Sequence, residues 1–253
     1  MNYVRYRIDG EEKYGLVEGD LVRELTGNFL LPDSSLNGQS SKLEAVQLLL
    51  PVQPSKVVCV GLNYYQHAQE MNLELPEEPV LFLKPPTSVL APYGEISLPP
   101  ASKQVDYEAE LAIVIGKTLR RVSEVEAVAG IFGYTCANDV TARDLQKKDG
   151  QWTRAKSFDT FCPLGPWVTT DLEPGNLDIS LTVNGSIKQF SNTGDFITPV
   201  PQLISYISQV MTLLPGDIVL TGTPAGIGPL QDGDEVVVHI DQIGSLVNYA
   251  RSI

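Results

Sequence analysis

Residues 3 to 25 carry short apolar-rich runs broken at Asp9-Gly10 and Glu18-Gly19, the chemistry of tight hairpin turns, and predict a small β-meander. A polar stretch, Pro32 to Ser40, leads into an amphipathic helix expected around 42 to 50. Pro51 and Pro54 then mark a boundary, giving a small N-terminal domain over 1–53, a β-meander plus helix, and a larger domain over 54–253. Beyond it, the unbroken apolar run Val57-Val58-Cys59-Val60 predicts a buried strand, followed by a helix near 64 to 71. Further strands are expected at Val80-Leu81-Phe82-Leu83 and Leu111-Ala112-Ile113-Val114-Ile115. Ser123 with Glu126 three residues on forms a capping box for a helix at about 124 to 130, and the next strand ends at Asp139. Asn184-Gly185 between two alternating runs is the strongest hairpin signal in the chain. A helix near 200 to 211 and closing strands after Pro215-Gly216-Asp217 complete a β-rich α+β pattern.

Composition narrows the partners. The 253 residues are 43% hydrophobic and 19% charged, with 21 Gly and 18 Pro, which describes a loop-rich globular protein. A net charge of -13 repels phosphate backbones and anionic headgroups, so nucleic acid and membranes are not expected partners. Cys59, Cys136 and Cys162 are widely spaced and odd in number, which reads as reduced thiols. The N-terminus shows no basic segment followed by an apolar stretch, and a cytoplasmic location is expected.

The chemistry concentrates in carboxylates. Glu108 and Glu110 stand two apart at the entry to an apolar strand, so they share a face with Cα atoms roughly 6.5 to 7 Å apart. Two such acids either face solvent or converge on a cation. Asp139 closes the apolar run from Ile131, an expensive placement for a carboxylate without a partner. Three oxygen ligands suit a hard cation. His67 and His239 are the only histidines and neither lies near an acid at zinc-site spacing, so Mg²⁺ or Mn²⁺ is preferred, with Ca²⁺ open. His67 and Glu70 share a helix face, where the carboxylate can hold the imidazole as a base; an incidental pair on a solvated helix is the alternative. Arg143 and Gln146 follow Asp139 at helical spacing and can bind substrate oxygens, although Arg143 can equally pair with Asp144 or another acid. Thr223 lies in a glycine-rich turn and can donate to a substrate carboxylate. His239, in an alternating strand, is read as structural.

Five segments together carry a family likeness: Gly61-Leu62-Asn63-Tyr64 with His67, Asp106-Tyr107-Glu108-Ala109-Glu110-Leu111, Asn138-Asp139-Val140-Thr141-Ala142-Arg143-Asp144, Ala155-Lys156-Ser157-Phe158-Asp159 and Gly222-Thr223-Pro224. In this order they resemble the fumarylacetoacetate hydrolase family, in its short branch. The resemblance implies a mixed β-sandwich roll, a homodimer, and Mg²⁺ or Mn²⁺ held by Glu108, Glu110 and Asp139. It also implies roles for Lys156 as an ammonium near the reacting centre and for His67 with Glu70 on a segment that orders over the substrate. Some short members read Gly-Arg-Asn-Tyr in the first motif, where this chain has Leu62. The expected reaction is cleavage of a carbon–carbon bond in a small anionic 2-oxo acid, by acylpyruvate hydrolysis or oxaloacetate decarboxylation through a metal-stabilised pyruvate enolate. Two alternatives stand beside it: isomerisation or decarboxylation of an unsaturated 2-oxo diacid, and a non-catalytic metal-stabilised binding protein.

Overall fold

The computed structural model describes every residue except 71 and 73. Three sheets of twelve, five and three strands dominate it, with five short α-helices: α1 (Tyr65–Glu70), α2 (Glu124–Ala129), α3 (Arg143–Asp149), α4 (Thr153–Lys156) and α5 (Val200–Val210). Pairing is mixed. Strand Ile218–Leu220 runs parallel to Val57–Val60 and antiparallel to Ala109–Ile115, the fully buried centre of the largest sheet. Residues Leu111, Ile113 and Ile115 pack with Leu203, Ile204 and Ile207 of α5 and with Ile179, Leu181 and Val238 of the five-stranded sheet in one buried core. This is the β-rich, layered arrangement expected. Among the described residues no helix is long and apolar enough to cross a membrane.

The local signals hold well. Asp9 and Gly10 both take positive φ between strands Asn2–Ile8 and Glu11–Glu18, and Asn184 and Gly185 do the same in the later hairpin. Ser123 accepts from the Glu126 amide while the Glu126 carboxylate accepts from the Ser123 amide, so the capping box is complete. The helix expected near 64 to 71 is α1, ending at Glu70; residue 71 lies outside the described residues.

One expectation fails. The segment 42 to 50 is not an α-helix: Leu43–Ala45 forms a single 3₁₀ turn, and Gln47–Leu48 pairs with Arg7 and Tyr6 as a short strand. Leu43, Val46 and Leu48 still bury against Val4, Tyr6 and Val22, so the apolar spacing was real and served a different backbone. So short a helix gains little by itself, and an available strand edge outcompetes it. The polar stretch before it also forms a strand, Leu36–Lys42, mostly exposed and paired with Leu21–Leu25. Strand Asn2–Ile8 joins Cys162–Thr169, so the N-terminal meander extends the same sheet that carries the site.

Candidate active site

The chain changes sheets at Glu108. Strand Val105–Tyr107 belongs to the three-stranded sheet and Ala109–Ile115 to the twelve-stranded one, with Glu108 in the break between them. Neither neighbouring amide is left unsatisfied: Glu108 N–H donates to Asn138 Oδ1 (2.9 Å) and Ala109 N–H to Gln189 Oε1 (2.9 Å). Across the sheet, Ala109 pairs with Asn138, which places Asp139 just past the strand end beside Glu108. Glu108, Glu110 and Asp139 are therefore buried together, each offering one oxygen within 4.8 Å of the others'. The shared face expected of Glu108 and Glu110 survives, although Glu108 itself is not a strand residue.

The three acids differ in what holds them. Glu108 accepts from Arg143 through one oxygen and from Lys156 Nζ (2.9 Å) through the other. Burial pushes its pKa up, but Lys156 and Arg143 prevail and hold it well below the usual carboxylate range. Asp139 accepts from Lys84 Nζ through Oδ1 and from Lys156 Nζ (2.6 Å) through Oδ2. Glu110 accepts only the Gly222 amide (2.6 Å) and makes no ion pair among the described residues. Burial, then the charges of Asp139 and Glu108, push its pKa well above the ordinary value. Gly222, at φ +97°, makes that amide reachable: a Cβ there would lie 2.8 Å from Asn63 Cβ.

This donor set fits a hard divalent cation. A buried carboxylate with one neutral donor, facing two more carboxylates, carries excess negative charge that a dication bound through oxygen would relieve. The site's nitrogen donors are Lys and Arg, which ligate no metal at neutral pH, and its only histidine, His67, is turned toward Glu70.

Around the acids lies a cavity of about 200 Å³, lined by His67, Arg143, Gln146, Lys156 and Thr223 as well as the triad. All nine residues singled out from the sequence, except Glu70, reach this lining. Glu70 stands behind His67, with Oε2 3.1 Å from Nδ1, and its carboxylate also accepts the Gly226 amide (3.1 and 3.2 Å). That leaves Nε2 of the buried imidazole without a hydrogen-bond partner among the described residues. Lys156 is 2% exposed and so is not a surface lysine. Burial alone would lower its pKa, but Asp139 and Glu108 raise it, so it stays an ammonium. Arg143 pairs with Asp106 (2.8 Å) and Glu108, not with Asp144, and donates to Gln146 Oε1 (2.6 Å). Asp144 instead accepts from Ser102 and the Lys103 amide. Leu62, with Val60 and Trp152, makes an apolar wall where an arginine would have carried charge. His239 is exposed on its strand and bonds Ser245, away from the cavity.

Sequence reasoning missed four residues. Lys84 ends the strand Leu81–Lys84 with its side chain fully buried, and a lysine closing an apolar run was a usable signal. Asp106, inside a quoted motif, was passed over although it anchors Arg143. Gln189 bridges the Ala109 amide to Thr223 Oγ1 (2.9 Å), and Trp152 closes the cavity wall; neither carries a local signal.

Comparison with known proteins identifies the family and the fold. Residues 56–250 match the family model described as fumarylacetoacetate (FAA) hydrolase C-terminal, and residues 1–51 match Rv2993c-like, N-terminal. A mitochondrial oxaloacetate tautomerase of Rattus norvegicus is 47% identical over 215 residues, which cover 80% of this chain and 69% of the relative. The crystal structure of 2-hydroxyhepta-2,4-diene-1,7-dioate isomerase from Mycobacterium marinum matches with a TM-score of 0.93 at 44% identity, covering 100% of this chain and 98% of that one. A fumarylacetoacetate hydrolase from Exiguobacterium antarcticum matches with a TM-score of 0.90 at 36% identity, covering 100% of both chains. The resemblance first seen in five short motifs thus extends to the whole fold, and the chain belongs to the fumarylacetoacetate hydrolase family, in its short branch.

Proposed function

We propose that this chain is an enzyme of small anionic 2-oxo acids that holds Mg²⁺ or Mn²⁺ on Glu108, Glu110 and Asp139 and moves a proton at the carbon next to the ketone. The reading supported best is interconversion of the keto and enol forms of a 2-oxo diacid, or the related double-bond isomerisation. The observation that carries it is the placement of a carboxylate-backed imidazole and an undersatisfied buried carboxylate on the same small cavity. When bound, the cation would polarise the 2-oxo oxygen and offset negative charge developing there.

The chain's own groups supply the rest. His67 Nε2 takes the proton from C3 and returns it to the carbon or to the enol oxygen, with Glu70 stabilising the imidazolium formed in between. Lys156, held as an ammonium, adds positive charge beside the developing enolate. Gln146 turns its oxygen to Arg143 and keeps its amide hydrogens for a substrate carboxylate. Thr223 Oγ1 accepts from Gln189, so its own hydrogen is free to donate in the same direction. All three Arg143 nitrogens serve Asp106, Glu108 and Gln146, so its proposed part is to frame the substrate site.

Carbon–carbon cleavage, the reaction first expected, is the second reading. The match to a fumarylacetoacetate hydrolase favours it, and there the same imidazole would deprotonate water. Purified protein with Mg²⁺, Mn²⁺ or chelator, offered oxaloacetate, acetylpyruvate and an unsaturated 2-oxo diacid, separates the two. Faster loss of the enol absorbance without pyruvate or CO₂ supports proton transfer; stoichiometric pyruvate supports cleavage; turnover that survives chelator rejects the cation. A homodimer, a cytoplasmic location and the division into 1–53 and 54–253 belong to the same proposal, the first read by light scattering.

A further inference from the structure

The cation site also contains a feature that the ligand set alone does not explain. Lys156, which lines the cavity, donates to Glu108 Oε2 (2.9 Å) and Asp139 Oδ2 (2.6 Å), while the other oxygen of each acid, and one oxygen of Glu110, has a different donor: Arg143 for Glu108 Oε1, Lys84 for Asp139 Oδ1 and the Gly222 amide for Glu110 Oε2. Of these donors Lys84 lies outside the cavity lining and is tied to the backbone beside its acid. It lies opposite Val57 in the sheet, its side chain is fully buried, and its ammonium also donates to Val140 O (3.0 Å). It therefore holds the carboxylate of Asp139 and the backbone of the next residue together, fixing both the position and the rotation of that carboxylate.

A small cation such as Mg²⁺ prefers six ligands in a regular octahedron and takes one oxygen per carboxylate. Ca²⁺ accepts six to eight oxygens at longer distance and commonly draws both oxygens of one carboxylate. At Asp139, Lys156 meets Oδ2 from the cavity lining, where a dication would share or take that oxygen, whereas Lys84 meets Oδ1 outside the lining, so a second grip on Asp139 requires breaking a further buried, charge-assisted bond. We propose that Lys84 is a positioning residue for cation selectivity: by holding Asp139 Oδ1 it restricts Asp139 to one ligand oxygen and biases the centre toward Mg²⁺ and Mn²⁺ over Ca²⁺. This rests on the reading that Glu108, Glu110 and Asp139 hold a dication.

Selectivity, unlike affinity, isolates the effect. Removing the Lys84 charge strengthens attraction for any dication, and it does so equally for two ions of the same charge. The ratio of dissociation constants for Mg²⁺ and Ca²⁺ cancels that contribution and reports the carboxylate's freedom. Calorimetric titration of the full chain with each ion is expected to show Lys84→Met shifting the ratio toward Ca²⁺ by about tenfold, the lower range for loss of a group behind a metal ligand. Lys84→Gln, which keeps a hydrogen-bond donor without the charge, is expected to leave the ratio near that of the wild type. An unchanged ratio in Lys84→Met overturns the inference while leaving the cation site intact; a wild-type chain that binds neither ion overturns both together. Should Lys84→Met fail to fold, a crystal structure of the wild type with Ca²⁺ decides: Asp139 bound through one oxygen supports the inference, and Asp139 bound through both rejects it.

Discussion

Strand Ile218–Leu220 has a buried carboxylate at each end, and the two are opposites. Asp217, fully buried at its start, accepts from the Ser55 amide (3.1 Å) and hydroxyl (2.6 Å), the Lys56 amide (3.3 Å) and ammonium, and the Leu214 amide (2.8 Å). Glu110, held at the other end through Gly222, accepts a single neutral amide. Both are equally hidden from water, so burial does not distinguish them. The number of donors does: a saturated carboxylate fastens the loop before Val57–Val60 to the sheet, while an undersatisfied one has coordination to spare for a ligand.

The most direct way to break this comparison is Glu110→Gln. It should lower kcat/KM by about 1000-fold or more, roughly 4 kcal/mol, through loss of a cation ligand. In chelator the same variant should unfold in urea no earlier than the wild type, because a neutral amide replaces an unpaired buried charge. If it were clearly less stable, Glu110 would be a structural acid like Asp217. Asp217→Ala should do the reverse, lowering unfolding free energy by about 3–5 kcal/mol while the folded fraction keeps its Mn²⁺ affinity. His67→Ala tests whether the base is separate from the triad: turnover should fall about 100-fold with calorimetric metal binding intact. Unchanged turnover would remove His67 from the mechanism. Ser123→Ala sharpens the contrast at its mildest end. Losing the cap of α2 should lower stability by about 1 kcal/mol in thermal unfolding and leave activity alone.

What could be read in advance follows from how far apart partners lie in the chain. The Asn184-Gly185 turn and the Ser123–Glu126 box are complete within a few residues, and both appear as expected. The segment 42 to 50 was misjudged because its fate depends on an edge offered by Tyr6 and Arg7. The same holds inside the cavity. Glu108, Glu110 and Asp139 announced themselves by their placement at the ends of apolar runs, and the motifs supplied His67 and Lys156. Lys84 bonds a carboxylate 55 positions away and Gln189 an amide 80 away, so the partner of neither can be read from its own neighbourhood, even though the apolar run before Lys84 marks that lysine as buried. Arg143 had a tempting acid next to it in Asp144, yet it reaches Asp106 and Glu108 across the fold.

The passage from one sheet to another at Glu108 sets what this scaffold can tolerate during divergence or design. Adding or deleting one residue there would turn Glu110 to the opposite side of its strand and detach the Ala109 amide from Gln189. Length changes are therefore to be directed to surface loops away from both this segment and α1, whose His67–Glu70 spacing is equally fixed, while the spacing from Val105 to Ile115 stays invariant.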